Sequence, residues 1–104
     1  MVSKKRQLKA TPTYSAKRVL PSGVVIEIAI YRLPQPDAGR PHGYKYRLFC
    51  GDAEGRCLVR YDNEQGKGDH VHYGDREQPY VFASAEQLLA DFARDIASYC
   101  EDVS

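Results

Sequence analysis

Tryptophan is absent from the chain, methionine occurs once, and cysteine only three times in 104 residues. Cys50, Cys57 and Cys100 are odd in number and show no CxxC spacing. That argues against a disulfide scaffold or a zinc ribbon and makes a reducing cytoplasm the expected compartment. Long hydrophobic runs are missing too. The most apolar stretch, Val24 to Ile30, contains Glu27 and is too short to span a bilayer, so no membrane partner is expected. No apolar stretch follows the basic N-terminus at signal-peptide spacing. Heptads and 20–50-residue repeats do not occur, which sets coiled coils and solenoids aside. Nor does one sign of charge dominate: 15 basic and 14 acidic residues leave +1. Bulk charge therefore does not announce a nucleic-acid binder.

What remains suits one soluble domain, with 42% apolar and 28% charged residues. The charge is unevenly spread. Residues 1–10 carry a net +4 and residues 84–104 a net −4. Residues 1–13 are basic and aperiodic and read as a flexible arm. Residues 14–104 read as a single domain.

Alternation marks the strands. Ala16 to Leu20 is a short one, closed by the turn Pro21-Ser22-Gly23. In Val24 to Leu33, Ile26, Ile28 and Ile30 share one face, and Glu27 and Tyr31 the other. Pro34, Pro36 and Pro41 make the next segment a loop. Tyr44 to Cys50 puts Tyr44, Tyr46 and Leu48 opposite Lys45 and Arg47. Arg56 to Asp62 puts Cys57, Val59 and Tyr61 opposite Arg60. His70 to Tyr73 alternates again, Gly74 to Pro79 reads as a turn, and Tyr80 to Phe82 as a last strand. Ser84 opens an amphipathic helix with a Ser-x-x-Gln capping box. Its apolar stripe is Ala85, Leu88, Leu89, Phe92, Ile96 and Tyr99, with Asp91 and Asp95 on the solvent side. The predicted fold is a two-layer α+β sandwich. Four to five antiparallel strands carry one C-terminal helix on one face.

A single helix leaves the other sheet face bare. By the phase of the alternation, that face collects Glu27, Tyr31, Lys45, Arg47, Arg60, His70 and His72. His70 and His72 are two apart on a strand and point the same way. Imidazoles transfer protons near neutrality. Glu27 is a further acid or base on the same face. Lys45, Arg47, Arg60 and Lys67 are candidate RNA-binding groups, able to hold phosphate and offset transition-state charge. That set suffices for RNA cleavage by an adjacent 2′-hydroxyl without cofactor or metal. Asp62, Asp69, His70 and His72 also form a pattern that can ligate a divalent ion. Asp62 and Asn63 read as a structural turn pair. Cys50 and Cys57 fall on the apolar face, where thiols are inert.

The segments His42-Gly-Tyr-Lys-Tyr-Arg-Leu48, Val59-Arg-Tyr-Asp-Asn-Glu64 and Gly66-Lys-Gly-Asp-His-Val-His72 together resemble the TumE family. These are small prokaryotic toxins of toxin–antitoxin pairs. The resemblance implies growth inhibition, an attack on RNA by analogy with other small toxins, and a cognate antitoxin with a helix-turn-helix domain. A homo-oligomer is compatible with it. A non-catalytic module that docks RNA or protein on the same basic face is the alternative.

Overall fold

The structure, a computed structural model, describes residues 11–64 and 67–99. Six antiparallel strands pair in chain order: β1 (Thr11–Val19), β2 (Val25–Arg32), β3 (Tyr44–Gly51), β4 (Cys57–Asp62), β5 (His70–Tyr73) and β6 (Arg76–Pro79). Helix α1 (Ala85–Tyr99) then packs across one face, against β4. This is the expected two-layer α+β architecture with one strand more.

The differences lie at the sheet edges. β1 starts at Thr11, inside the segment expected as an arm, and residues 1–10 lie outside the described residues. Gly74 to Pro79 is not a plain turn. Gly74 and Asp75 alone make the loop, and Arg76 to Pro79 return as β6. A φ of 62° at Gly74 supplies the left-handed first position of a two-residue type II′ hairpin. All four β6 residues are exposed, so no hydrophobic alternation betrays the strand. Tyr80 to Phe82, expected as a strand, is instead the connection to α1. Tyr80 meets the Tyr61 ring edge-on at 4.9 Å, and Phe82 stacks on His42 at 3.9 Å.

The alternation places the core where its phase requires. Ile30, Tyr46, Leu48, Val59, Tyr61 and Val71 are buried beneath Leu88 and Phe92. Ile26, Ile28 and Tyr44 pack partly buried at the margin. The Ser84 hydroxyl accepts the Gln87 N–H at 3.0 Å, as a cap should. The reciprocal half of the box is not made, because the Gln87 amide donates to Asp91 at 2.8 Å.

Asp91 and Asp95 correct the expected polarity of the helix. Both are buried, not solvent-facing. They fall three and seven residues after Leu88, on its inward stripe. Tyr80 donates to Asp91 at 2.6 Å, and Tyr73 (2.8 Å) and Tyr61 both donate to Asp95. Tyrosines in a core need acceptors for their hydroxyls, and the helix brings two carboxylates to them. Tyr99, expected on the stripe, is 48% exposed.

Candidate active site

Strand register builds the bare face in cross-strand rows. Glu27 pairs with Phe49, Phe49 with Arg60, Arg60 with His72, and His72 with Glu77. The adjacent row runs Ala29, Arg47, Asp62, His70 and Pro79. Lys45 lies beside Tyr31 in the next. Glu27, Tyr31, Lys45, Arg47, Arg60, His70 and His72 thus share one face.

Arg60, His70 and His72 form a cluster with Asp62 around β4 and β5. The His70 Nε2 lies 2.6 Å from Asp62 Oδ1, and its Nδ1 lies 3.0 Å from the Gly68 carbonyl oxygen. A carbonyl only accepts, so Nδ1 carries a hydrogen. The second nitrogen faces the Asp62 carboxylate across that 2.6 Å contact. His72 is the reverse case. The Arg60 guanidinium donates to its Nε2 at 2.9 Å, and arginine cannot accept. That nitrogen therefore holds a lone pair, and His72 is neutral. Burial, and then the Arg60 charge, hold its pKa below the ordinary 6.5. The two rings stand side by side, with centroids 4.9 Å apart.

Glu77 shows where an anion fits. Its carboxylate oxygen lies 3.7 Å from His70 Nε2 and 3.8 Å from His72 Nε2. The Glu77 side chain is about half exposed and able to swing away, leaving a phosphate-sized position that both rings address. Arg60 Nε lies 3.0 Å from Asp62 Oδ2 but off hydrogen-bonding geometry, and this buried donor has no hydrogen-bond partner.

Asp62, His70 and His72 offer ligand atoms all within 4.8 Å of one another. That spacing suits a divalent ion. Arg60 already places a cation against two of the three donors, at 3.0 Å from Asp62 and 2.9 Å from His72. A metal must expel it.

The other expected residues are distributed as follows. Glu27 sits three strands from His72, roughly 14 Å at ordinary strand spacing. It faces Lys17 at 3.5 Å and Arg47 at 3.6 Å instead. Asp62 is the carboxylate that meets the histidines. Arg47 also lies over the Phe49 ring at 5.1 Å. Lys67 is exposed and lines a small hollow with Asp69, His70 and Glu77. Asp62 and Asn63 do not form a turn pair. Asp62 ends β4 facing the open side. Asn63 is fully buried and continues the ladder, accepting the Tyr46 N–H at 3.0 Å and donating to the Tyr44 carbonyl at 2.8 Å. Cys50 is buried, and burial pushes the Cys57 thiol up, away from thiolate chemistry. Cys100 lies outside the described residues.

A second network anchors the loop before His70. The Asp69 carboxylate accepts from Tyr46 (2.6 Å), His42 Nε2 (3.0 Å) and Asn63 (3.3 Å). His42 Nδ1 accepts the Tyr44 N–H at 3.1 Å, which fixes the ring as the Nε2–H tautomer. Burial and then Asp69 push the Tyr46 hydroxyl well above its usual range. Tyr46→Phe should cost roughly 1.5–3 kcal/mol in urea denaturation, the range for a hydrogen bond to a charged group. A loss under about 0.5 kcal/mol, the size of an ordinary surface change, would show that the bond adds nothing to folding.

Sequence reasoning missed Glu77 because it took Gly74 to Pro79 for a turn. The Gly-Asp loop with alternation on both sides was the available signal. It undervalued His42 and Asp69, whose partnership spans 27 residues and leaves no local trace.

The sequence matches the family described as Toxin TumE over residues 4–99. The chain belongs to the TumE family. No curated protein and no solved structure matches it. Among the described residues, no helix is long and apolar enough to cross a membrane.

Proposed function

We propose that this protein is the toxin of a toxin–antitoxin pair and inhibits growth by cleaving RNA without a metal. The observation that carries the reading is the pairing of His70, whose Nδ1–H meets the Gly68 carbonyl, with His72, whose Nε2 accepts from Arg60, on a basic, uncovered sheet face. An incoming phosphate displaces the Glu77 carboxylate and draws Arg60 from His72, freeing the Nε2 lone pair. His72 takes the proton of the 2′-hydroxyl as that oxygen bonds to phosphorus. The bond from phosphorus to the 5′-oxygen breaks, and His70, as the acid, turns its Nε2 from Asp62 to give that oxygen the proton. Arg60 holds the charge that develops on phosphorus-bound oxygens. Asp62 and the Gly68 carbonyl orient the His70 ring. Lys45, Arg47 and Lys67 engage flanking phosphates. The family supports a cognate antitoxin, and a helix-turn-helix DNA-binding protein is the proposed partner.

The test is incubation of the purified protein with total RNA in chelator. Fragments should appear that end in 2′,3′-cyclic phosphate. RNA that is bound but stays intact would favour the binding-module reading. Binding should weaken steeply with salt, because counterions are released. Alanine at Lys45, Arg47 and Arg60 together should flatten the logarithmic salt slope by up to about 3, near one per phosphate contact. No affinity at low salt, or an unchanged slope, would make the face only a solvated surface.

A further inference from the structure

Beside the histidine cluster, the open face holds a cleft of about 310 Å³ lined by Ala29, Tyr31, Lys45, Arg47, Arg60, Asp62 and Glu64. That is the low end of ligand clefts, about 300–1,000 Å³, and suits a single nucleotide better than a larger ligand. The small Ala29 side chain leaves the depression, and longer side chains wall it. Arg60 and Asp62 belong to both the cleft and the cluster, so a nucleotide in the cleft has its phosphate at the reacting groups.

The polar groups of the cleft fall into two sets. Asp62 is held by His70 and Arg60, and Arg47 by Glu27 and Phe49. Tyr31, Lys45 and the Glu64 carboxylate make no side-chain hydrogen bond or ion pair among the described residues. Lys45 and Glu64 are exposed, and Tyr31 is half-buried. An aromatic ring, a cation and a carboxylate thus face one nucleotide-sized space with their bonding capacity unspent.

We propose that this cleft is a guanine subsite; the inference rests on the ribonuclease reading and names its substrate preference. The carboxylate decides the base. Ionised Glu64 offers two adjacent acceptors and no donor. Guanine alone presents two adjacent donors on its pairing edge, N1–H and the N2 amino group. Adenine and cytosine set a ring-nitrogen lone pair beside their amino group, which the carboxylate repels. Uracil flanks its single N–H with two carbonyls. Guanine also carries O6 and N7 acceptors, the atoms that lysine and arginine seek. Lys45 is the cation for them, and Tyr31 is the ring on which the base stacks.

The experiment compares cleavage at each of the four nucleotides in one unstructured RNA, and binding of 3′-GMP, 3′-AMP, 3′-CMP and 3′-UMP, for wild type and Glu64→Gln. Glu64 is exposed, so the exchange leaves the core untouched. Wild type should favour guanosine by roughly 5- to 100-fold in both measurements, the discrimination of one bidentate pair. Glu64→Gln should collapse that ratio, because an amide offers one acceptor and one donor. Cleavage without base preference, or a guanine preference unmoved by Glu64→Gln, overturns the subsite and leaves the ribonuclease reading standing. Selective 3′-GMP binding that Glu64→Gln abolishes, with no RNA cut, upholds the subsite and overturns the ribonuclease. No nucleotide bound and no RNA cut overturns both.

Discussion

His72→Ala should slow the proposed RNA cleavage by roughly 10²–10⁴-fold and relieve growth inhibition, the usual effect of losing a positioned proton acceptor. The pH profile separates this from a loss of structure. In wild type, the rate should fall on the acid side as His72 gains a proton and loses its lone pair. Its pKa is held below the ordinary 6.5 by burial and then by Arg60, so that limb lies below pH 6.5. His72→Ala should lose that acid limb. His70→Ala should be as slow, but it also leaves Asp62 and the Gly68 carbonyl without their donor. His70→Gln, checked by circular dichroism, separates chemistry from folding. Chelator should change nothing. Activity lost in chelator and restored by a divalent ion would instead mark Asp62, His70 and His72 as ligands, with Arg60 displaced. Undiminished toxicity of a variant carrying both His70→Ala and His72→Ala would remove both histidines from the mechanism.

How much of this was legible in the sequence depends on range. The sheet faces were legible, because alternation has a period of two and a single covering helix breaks the symmetry between them. That alone brought Arg60, His70 and His72 onto one surface. It did not say which residues stand opposite across strands. Glu27 and Asp62 look alike as acids on the bare face. Only the register puts Asp62 against His70 and Glu27 three strands away. β6 was invisible because a strand exposed on both sides needs no apolar residues. The inward acids of α1 were misread for the opposite reason. A helical wheel assigns charge to solvent, and it cannot know that tyrosines wait on the facing sheet. Their hydroxyls make a carboxylate the better neighbour.

That last misreading carries the largest stability effect. Asp95→Ala should lower the unfolding free energy by roughly 2–6 kcal/mol, since each of two tyrosine hydroxyls loses its acceptor at about 1–3 kcal/mol apiece. The loss should rival Phe92→Ala, expected at roughly 3–5 kcal/mol for a buried aromatic. Asp95→Asn keeps one acceptor oxygen and should cost less, although neutral hydrogen bonds are roughly half as strong as charge-assisted ones. The pH dependence follows with a definite sign. Burial, and then hydrogen bonding to Asp95, push the Tyr61 hydroxyl above its ordinary 10.0. Tyr80, beside Asp91, is raised for the same reasons. Above about pH 10 the unfolded chain sheds tyrosine protons that the fold retains. The unfolded state then binds fewer protons, and stability falls as pH rises. Asp91 works at the other end. Burial raises it, but the bonds from Tyr80 and Gln87 and the Arg94 charge outweigh that and leave it below 3.8. Its contribution is present at neutrality and is lost as pH falls through that lowered value. Urea midpoints between pH 8 and 11 should drop steeply for wild type and less steeply for Asp95→Ala, where burial and the Tyr73 hydroxyl still raise Tyr61. A cost below about 1 kcal/mol, with an unchanged alkaline slope, would mean that water serves the hydroxyls as well. The helix would then be held chiefly by its apolar side, Leu88 and Phe92 with Leu89 and Ile96.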